Sequence, residues 1–338
     1  MKKQFAIYRL YFNAPLHINS SRADGRVSET TIQSDTFYAA LTSCLISLGE
    51  DLGDTGGNLG FVISSLFPFF QEQNINGGKP IYFLPMPLQT TLPQLKDVSK
   101  AKDVKRVRWV AADLYATILD GTKIFDNESM VDKIRGPFLT EAKLPEGTKN
   151  FIKSQVVQRL VMKDRTGRGD VLPFYFDRIT FQDQSGLYFM VEFTDNDAKS
   201  KERFERALAL LSQEGIGSDR SVGYGHFSYK SDSLELFLPD KADHQLSLSV
   251  LIPADGDQLK GLLEGDRVAY SFVRRGGWIT TEGERTLRKN PIYAFLPGSV
   301  FHSVGDSPGT IVDLQPTTMG HPVWRFGKAI TLPIILPS

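Results

Sequence analysis

The strongest constraint on this 338-residue chain is an order: two amphipathic helical patterns, each held between strand-like patterns. Residues 3–14 are rich in aromatic and β-favouring side chains and predict a strand. SDTFYAALTSCLISLG then carries Phe37, Leu41, Cys44, Leu45 and Leu48 on one helical face, with Ser34 as the expected N-cap and Gly49 as the stop. IYFLPMPL, from Ile81, reads as a strand closed by prolines. DVLPFYFDRITF and GLYFMVEFT read as a hairpin turned at DQSG. NDAKSKERFERALALLSQEG is a second helix, with Phe204, Leu208 and Leu211 on one face and Gly215 at the left-handed cap position. HFSYKSDSLELFL completes the series as a strand.

This βαββαβ order predicts an α+β, ferredoxin-like (RRM-like) domain over residues 1–240, with both helices on one face of an antiparallel sheet. GEDLGDTGGNLG reads as a flexible loop. Between about 90 and 168 the periodicity is lost among basic stretches, so a long insertion is expected there. LPDKADHQ marks a boundary. Residues 241–338 read almost wholly as strands, DGDQLKGLLEG being the exception, and suggest a second, degenerate ferredoxin-like domain.

Lys plus Arg and Asp plus Glu both number 39, so any nucleic-acid contact must come from a local patch. A single cysteine, Cys44, excludes an internal disulfide framework and a cysteine zinc site. Arg9 interrupts the apolar start, which favours a strand over a signal peptide, and no apolar run reaches membrane-spanning length. A cytoplasmic protein without a membrane partner is expected.

Between the second helix and the last strand lies GIGSDRSVGYGHF. Gly215, Gly217, Gly223 and Gly225 are spaced G-x-G-x5-G-x-G. A dinucleotide fingerprint needs G-x-G-x-x-G after a strand and before a helix; here Arg220 takes the third glycine's place and the order is reversed. No Walker-type phosphate loop is present, and no nucleotide cofactor is expected. Glycine-rich backbone can still form an anion nest, and Arg220 and Ser221 add phosphate donors. A tight turn into an edge strand would use the same glycines.

Three further basic loops are candidates. HINSSRADGRVSETTIQSD brings His17, Ser20, Arg22 and Arg26 to the start of a helix. KDRTGRGD carries Lys163, Arg165 and Arg168. FVRRGGWIT sets Arg274 and Arg275 beside Trp278, a chemistry suited to RNA or to an edge strand guarded against aggregation. His17 could serve as a base, although a lone histidine is more commonly structural. The five histidines form neither an HExxH nor an H-x3-H pattern, and no GxSxG elbow occurs, so catalysis and metal binding find no support.

Taken in order, PLHINSSRADGRVSETTIQSDTFYAAL, VMKDRTGRGDVLPFYFDRITF with GLYF, EGIGSDRSVGYGHF, and RRGGWI with KNPIYAFLPGSVF and HPVWRFGKAITLPI resemble the RAMP superfamily of CRISPR proteins. Within it they look like the type III-A (Csm) effector subunit that caps the 5′ end of the guide RNA. The resemblance implies a non-catalytic, crRNA-binding structural subunit with two ferredoxin-like domains. It would hold the crRNA 5′ handle between a large polymerase/cyclase-like CRISPR subunit and a backbone RAMP subunit, and meet target RNA only through the guide. The insertion at 90–168 would be the thumb that enters the guide–target duplex. The RNA-binding set would be His17, Ser20, Arg22, Arg165, Arg168, Gly215, Gly217, Arg220, Ser221, Gly223, Gly225, Arg274 and Arg275. The competing reading is a metal-independent RAMP endoribonuclease that processes repeat RNA, with His17 as acid or base.

Overall fold

A computed structural model describes residues 1–18, 28–71, 78–88, 100–142, 144, 151–162, 171–182, 184–194, 198–279, 287–305, 308–316 and 320–337. The N-terminal part contains β1 (Lys2–Phe12), α1 (Ser34–Ser47), β2 (Phe61–Ile63), β3 (Phe67–Gln71), β4 (Pro80–Pro85), α2 (Ala101–Val104), β5 (Trp109–Ala111) and α3 (Ala112–Leu119). It continues through α4 (Glu128–Val131), β6 (Ile134–Arg135), β7 (Phe138–Leu139), β8 (Ile152–Met162), β9 (Val171–Phe181), β10 (Ser185–Phe193), α5 (Ala198–Glu214) and β11 (Phe227–Phe237). The C-terminal part contains β12 (His244–Ser247), α6 (Gly256–Leu262), β13 (Phe272–Arg275), β14 (Trp278–Ile279), β15 (Leu287–Arg288) and β16 (Ile292–Phe295). It ends with β17 (Val300–His302), β18 (Ile311–Asp313), β19 (Trp324–Phe326) and β20 (Thr331–Ile334).

The fold is mixed α+β, dominated by one large sheet. Its strands run β11-β1-β10-β3-β4-β5-β7-β6, with β2 also pairing β10. β1 is an interior strand, second from the edge, and pairs along its whole length with β11 and for five residues with β10. The apolar stripe of α5 is fully buried at Phe204, Leu208 and Leu211, and that of α1 at Phe37, Leu41 and Leu45. Each such side chain contributes about 1.5–3 kcal/mol by leaving water. Phe204 stands edge-on to Tyr8, Phe61 and Phe193, which locks α5 to the sheet through an aromatic cluster. Gly215 ends α5 at φ +79°, with its amide donating to the Leu211 carbonyl, as the left-handed cap position requires.

Four features differ from the sequence expectations. FVISSLFPFFQ, unassigned by pattern, forms β2 and β3. Ten of its eleven residues are buried, so no alternation marks them as strands. Strand β9 pairs with β8 and not with β10; β10 instead joins β1, β2 and β3 inside the sheet. Within the stretch read as patternless insertion, β5, β6 and β7 extend the large sheet, and α3 packs on β4, β5 and β11. Finally, Ser34 is the first helical residue and Gln33 the N-cap; the Ser34 hydroxyl accepts instead from the Val250 amide.

The C-terminal part is strand-rich, with β12 between β17 and β20 and the ribbons β13–β16, β14–β15 and β18–β19. It is stitched to the N-terminal part by buried polar bonds. The Ser65 amide donates to Leu248 O (2.8 Å) and the Ser249 hydroxyl to Ile63 O (2.8 Å). Tyr38 of α1 stacks on Phe326 of β19 at 3.8 Å between ring centroids. No helix among the described residues is long and apolar enough to cross a membrane.

Candidate nucleic-acid interface

The glycine loop is clamped against the segment that follows β1. The Ser218 amide donates to His17 O (2.9 Å), the Gly225 amide to Pro15 O (2.9 Å), and the Ile216 amide to Gly225 O (3.1 Å). These bonds bring the backbones so close that side chains do not fit. A Cβ on Gly217 would collide with the His17 carbonyl, and one on Gly225 with the Ile216 carbonyl; both residues also have positive φ, +95° and +74°. Gly215 and Gly225 are buried, so they shape the loop from inside. Gly223, at φ +88°, has open space around the Cβ position.

The crest of the loop faces outward. Arg220, Ser221, Val222 and Gly223 are exposed. Asp219 takes φ +64°, and from there a single 3-10 turn, Arg220–Val222, carries the chain round. The amides of Gly217, Arg220 and Ser221 find no carbonyl partner among the described residues. This is the arrangement of donors that a phosphate oxygen can accept from. The Arg220 guanidinium lies 3.7 Å from Glu214, an exposed pair of small energetic weight, so it is available to a ligand.

His17 is 2% exposed. Its Nδ1–H donates to the Asp177 carbonyl (2.6 Å), and its ring packs on Phe176 at 4.1 Å. The Asp177 carboxylate accepts from the Ser28 amide (2.9 Å) and the Ser154 hydroxyl (2.7 Å). The histidine therefore ties the post-β1 segment to the base of the β8–β9 hairpin, and its carbonyl serves the glycine loop. Arg159 on β8 completes this junction. It ion-pairs with Asp219 and lies over the rings of Phe176 (4.3 Å) and Tyr224 (5.0 Å). Sequence reading overlooked Arg159 because Asp219 and Tyr224 stand 60 or more residues away and follow no spacing rule.

Gly215, Gly217 and Arg220 line one wall of a cleft of about 670 Å³, together with Ile18 and Glu29. Arg275, Lys289 and Trp324 of the C-terminal part line the other. Behind the lining residue Arg275 is Asp35, fully buried in the first turn of α1. Arg325 donates to Asp35 Oδ2 (2.8 Å) and Arg275 Nη2 to Oδ1 (3.2 Å). Arg275 Nε also lies 3.0 Å from Oδ2 but lacks hydrogen-bond alignment. Arg274, the neighbour of Arg275, points to the exposed opposite side of β13. Burial, reinforced by Arg325, holds the Lys289 ammonium below the ordinary lysine range, against the opposing pull of Asp35. Ser20, Arg22, Arg26, Lys163, Arg165 and Arg168 lie outside the described residues.

No group of three or more metal-ligating side chains occurs among the described residues. Burial, with Glu214 adding to it, pushes the Cys44 thiol up to about 11, so it stays protonated at neutral pH.

Residues 240–334 match the family model of the CRISPR Csm4 C-terminal domain. The chain is 24% identical over 336 residues to the CRISPR system Cms protein Csm4 of Streptococcus thermophilus, covering 96% of this chain and 97% of that protein. It is 23% identical over 308 residues to the Methanocaldococcus jannaschii Csm4, covering 75% and 79%. Among solved structures, it is similar to a chain of a Csm3–Csm4 subcomplex of the type III-A CRISPR–Cas interference complex, with TM-score 0.59, 20% identity and coverage of 98% and 99%. It is also similar to a chain of a Csm1–Csm4 cassette in complex with cA4, with TM-score 0.60, 17% identity and coverage of 99% and 100%. The resemblance read from the sequence is thus borne out: residues 240–334 match the Csm4 C-terminal domain model, and the chain is similar along nearly its whole length to a curated Csm4 protein and to a chain of a type III-A Csm3–Csm4 subcomplex.

Proposed function

We propose that this chain is a non-catalytic, crRNA-binding structural subunit of a type III-A CRISPR interference complex. It holds the 5′ handle of the guide RNA and bridges the large polymerase/cyclase-like subunit to the backbone RAMP subunit, with target RNA reached only through the guide. Its two parts act as ferredoxin-like units, the second degenerate, and it works in the cytoplasm without a cofactor. The partners follow from relatives solved as Csm1–Csm4 and Csm3–Csm4 assemblies.

The observation that carries the RNA reading is the crest of the glycine loop. Three amides without carbonyl partners and the Arg220 guanidinium stand on the rim of a cleft, on a loop too tightly bonded to need ordering on binding. An irregular single strand is recognised by such backbone donors, arginine and stacking, not by groove readout. The β8–β9 hairpin, with Val156, Leu160 and Tyr175 exposed, is the thumb in this reading, and Arg165 and Arg168 belong to its connecting segment.

The test is Arg220→Ala in the assembled complex, with co-purifying guide RNA quantified and its 5′ end mapped. We expect guide retention to fall several-fold; full retention with a normal 5′ end overturns the assignment of Arg220. The nuclease reading is disfavoured by His17 itself, whose ring is buried and engaged with Asp177 and Phe176. Cleavage of repeat RNA by the purified chain that His17→Ala abolishes would restore it.

A further inference from the structure

We infer that the cleft between the two parts of the chain is a phosphate subsite, with Lys289 as its anion contact. This rests on the RNA-binding reading and extends it from the exposed crest of the loop into the cleft behind it.

The argument is one of charge balance. Three cations, Arg275, Arg325 and Lys289, gather around a single buried carboxylate, Asp35. Both arginines spend their guanidinium groups on that carboxylate. Lys289 does not: its ammonium makes no ion pair and no side-chain hydrogen bond with another described residue. It is only half-buried, and that burial, followed by the Arg325 charge, disfavours its protonated form. A partly desolvated excess of positive charge is stabilised when an anion neutralises it. The cleft supplies room for that anion, about 670 Å³, and opens directly onto Gly217 and Arg220. A phosphate entering there would neutralise Lys289 while its neighbours along the strand reach the loop amides. Glu29 is the one acidic side chain on the described lining. The arginine pair is the scaffold: both guanidinium groups are bonded to Asp35, which leaves Lys289 as the cleft cation without an ion-pair partner among the described residues.

The ligand chemistry is a phosphate of a single-stranded RNA, and two sources are possible, a 5′-terminal phosphate or an internal phosphodiester. The test uses the full chain, with binding of labelled handle RNA measured across a salt series for wild type, Lys289→Ala, Lys289→Arg and Arg220→Ala. Each RNA is prepared with a 5′-phosphate and with a 5′-hydroxyl. We expect Lys289→Ala to weaken binding several-fold and to reduce the slope of log affinity against log salt by about 0.7, the value for one phosphate contact on a single strand. Lys289→Arg should keep the slope. Loss confined to 5′-phosphorylated RNA identifies the terminal phosphate; equal loss on both identifies an internal one. In the absence of RNA, Lys289→Ala should melt no lower than wild type, because it removes an unneutralised charge; a lower melting temperature would make Lys289 a structural residue and overturn the inference. An unchanged slope in Lys289→Ala, with Arg220→Ala impaired, overturns the subsite and leaves the RNA-binding reading standing. Failure of the wild-type chain to bind the RNA at all, alone or with its partner subunits, overturns both.

Discussion

The glycine loop and the β8–β9 hairpin are both surfaces for RNA in our reading, yet they are built in opposite ways. The loop is short, and its backbone is bonded at three points to the Pro15–His17 segment and to itself, with two of its glycines buried. The hairpin is an eleven-residue pair whose strands bond to each other, and among its described side chains only Ile152, Phe176, Asp177 and Ile179, towards its base, are buried. Beyond that base its side chains project on both sides, with Leu160 66% exposed. The difference is one of rigidity before binding. A clamped loop presents fixed donors and loses little entropy on meeting RNA, whereas the outer half of the arm is tied to the rest of the described chain through Arg159.

The contrast can be broken first at the glycines. Gly225→Ala must accommodate both a positive φ and a collision with the Ile216 carbonyl, and should cost about 3 kcal/mol of stability. Gly223→Ala has the same backbone problem but open space, and should cost about 1 kcal/mol. Equal losses in denaturant titrations would mean that the clamp does not hold the loop. Next is Arg159→Ala, which removes the link from β8 to Asp219, Phe176 and Tyr224. It should cost about 1 kcal/mol and raise amide exchange in β8 more than in the glycine loop. Protection changing equally in both would show the two regions to be one cooperative unit. Smallest is Leu160→Ser, which should shift the stability of the isolated chain by less than about 0.5 kcal/mol. A larger loss would mean that the outer hairpin is packed in solution.

The legibility of the sequence follows the same physical division. Elements with one wet and one dry face were readable: α1 and α5 showed a 3.6-residue stripe, and β1 and β11 their aromatic and alternating content. β2 and β3 are buried on both faces and β8 is exposed on both, so neither alternates, and periodicity missed all three. At the candidate site, glycines and arginines in clusters announced themselves. Asp35 and Lys289 did not, because their meaning comes from partners 240 or more residues away and from burial. Ser34 was read as a helix cap because local chemistry permits it, but Val250 takes its hydroxyl.

The buried carboxylate behind Arg275 also bears on modularity. Asp35 belongs to the first turn of α1, and both of its guanidinium partners come from beyond residue 270. Separating the chain near residue 240 would strand a buried negative charge in one fragment and two arginines in the other. The two parts are therefore not interchangeable cassettes. A chimaera that exchanges one of them must carry Asp35, Arg275 and Arg325 as a set, even though 240 and 290 residues separate Asp35 from the two arginines.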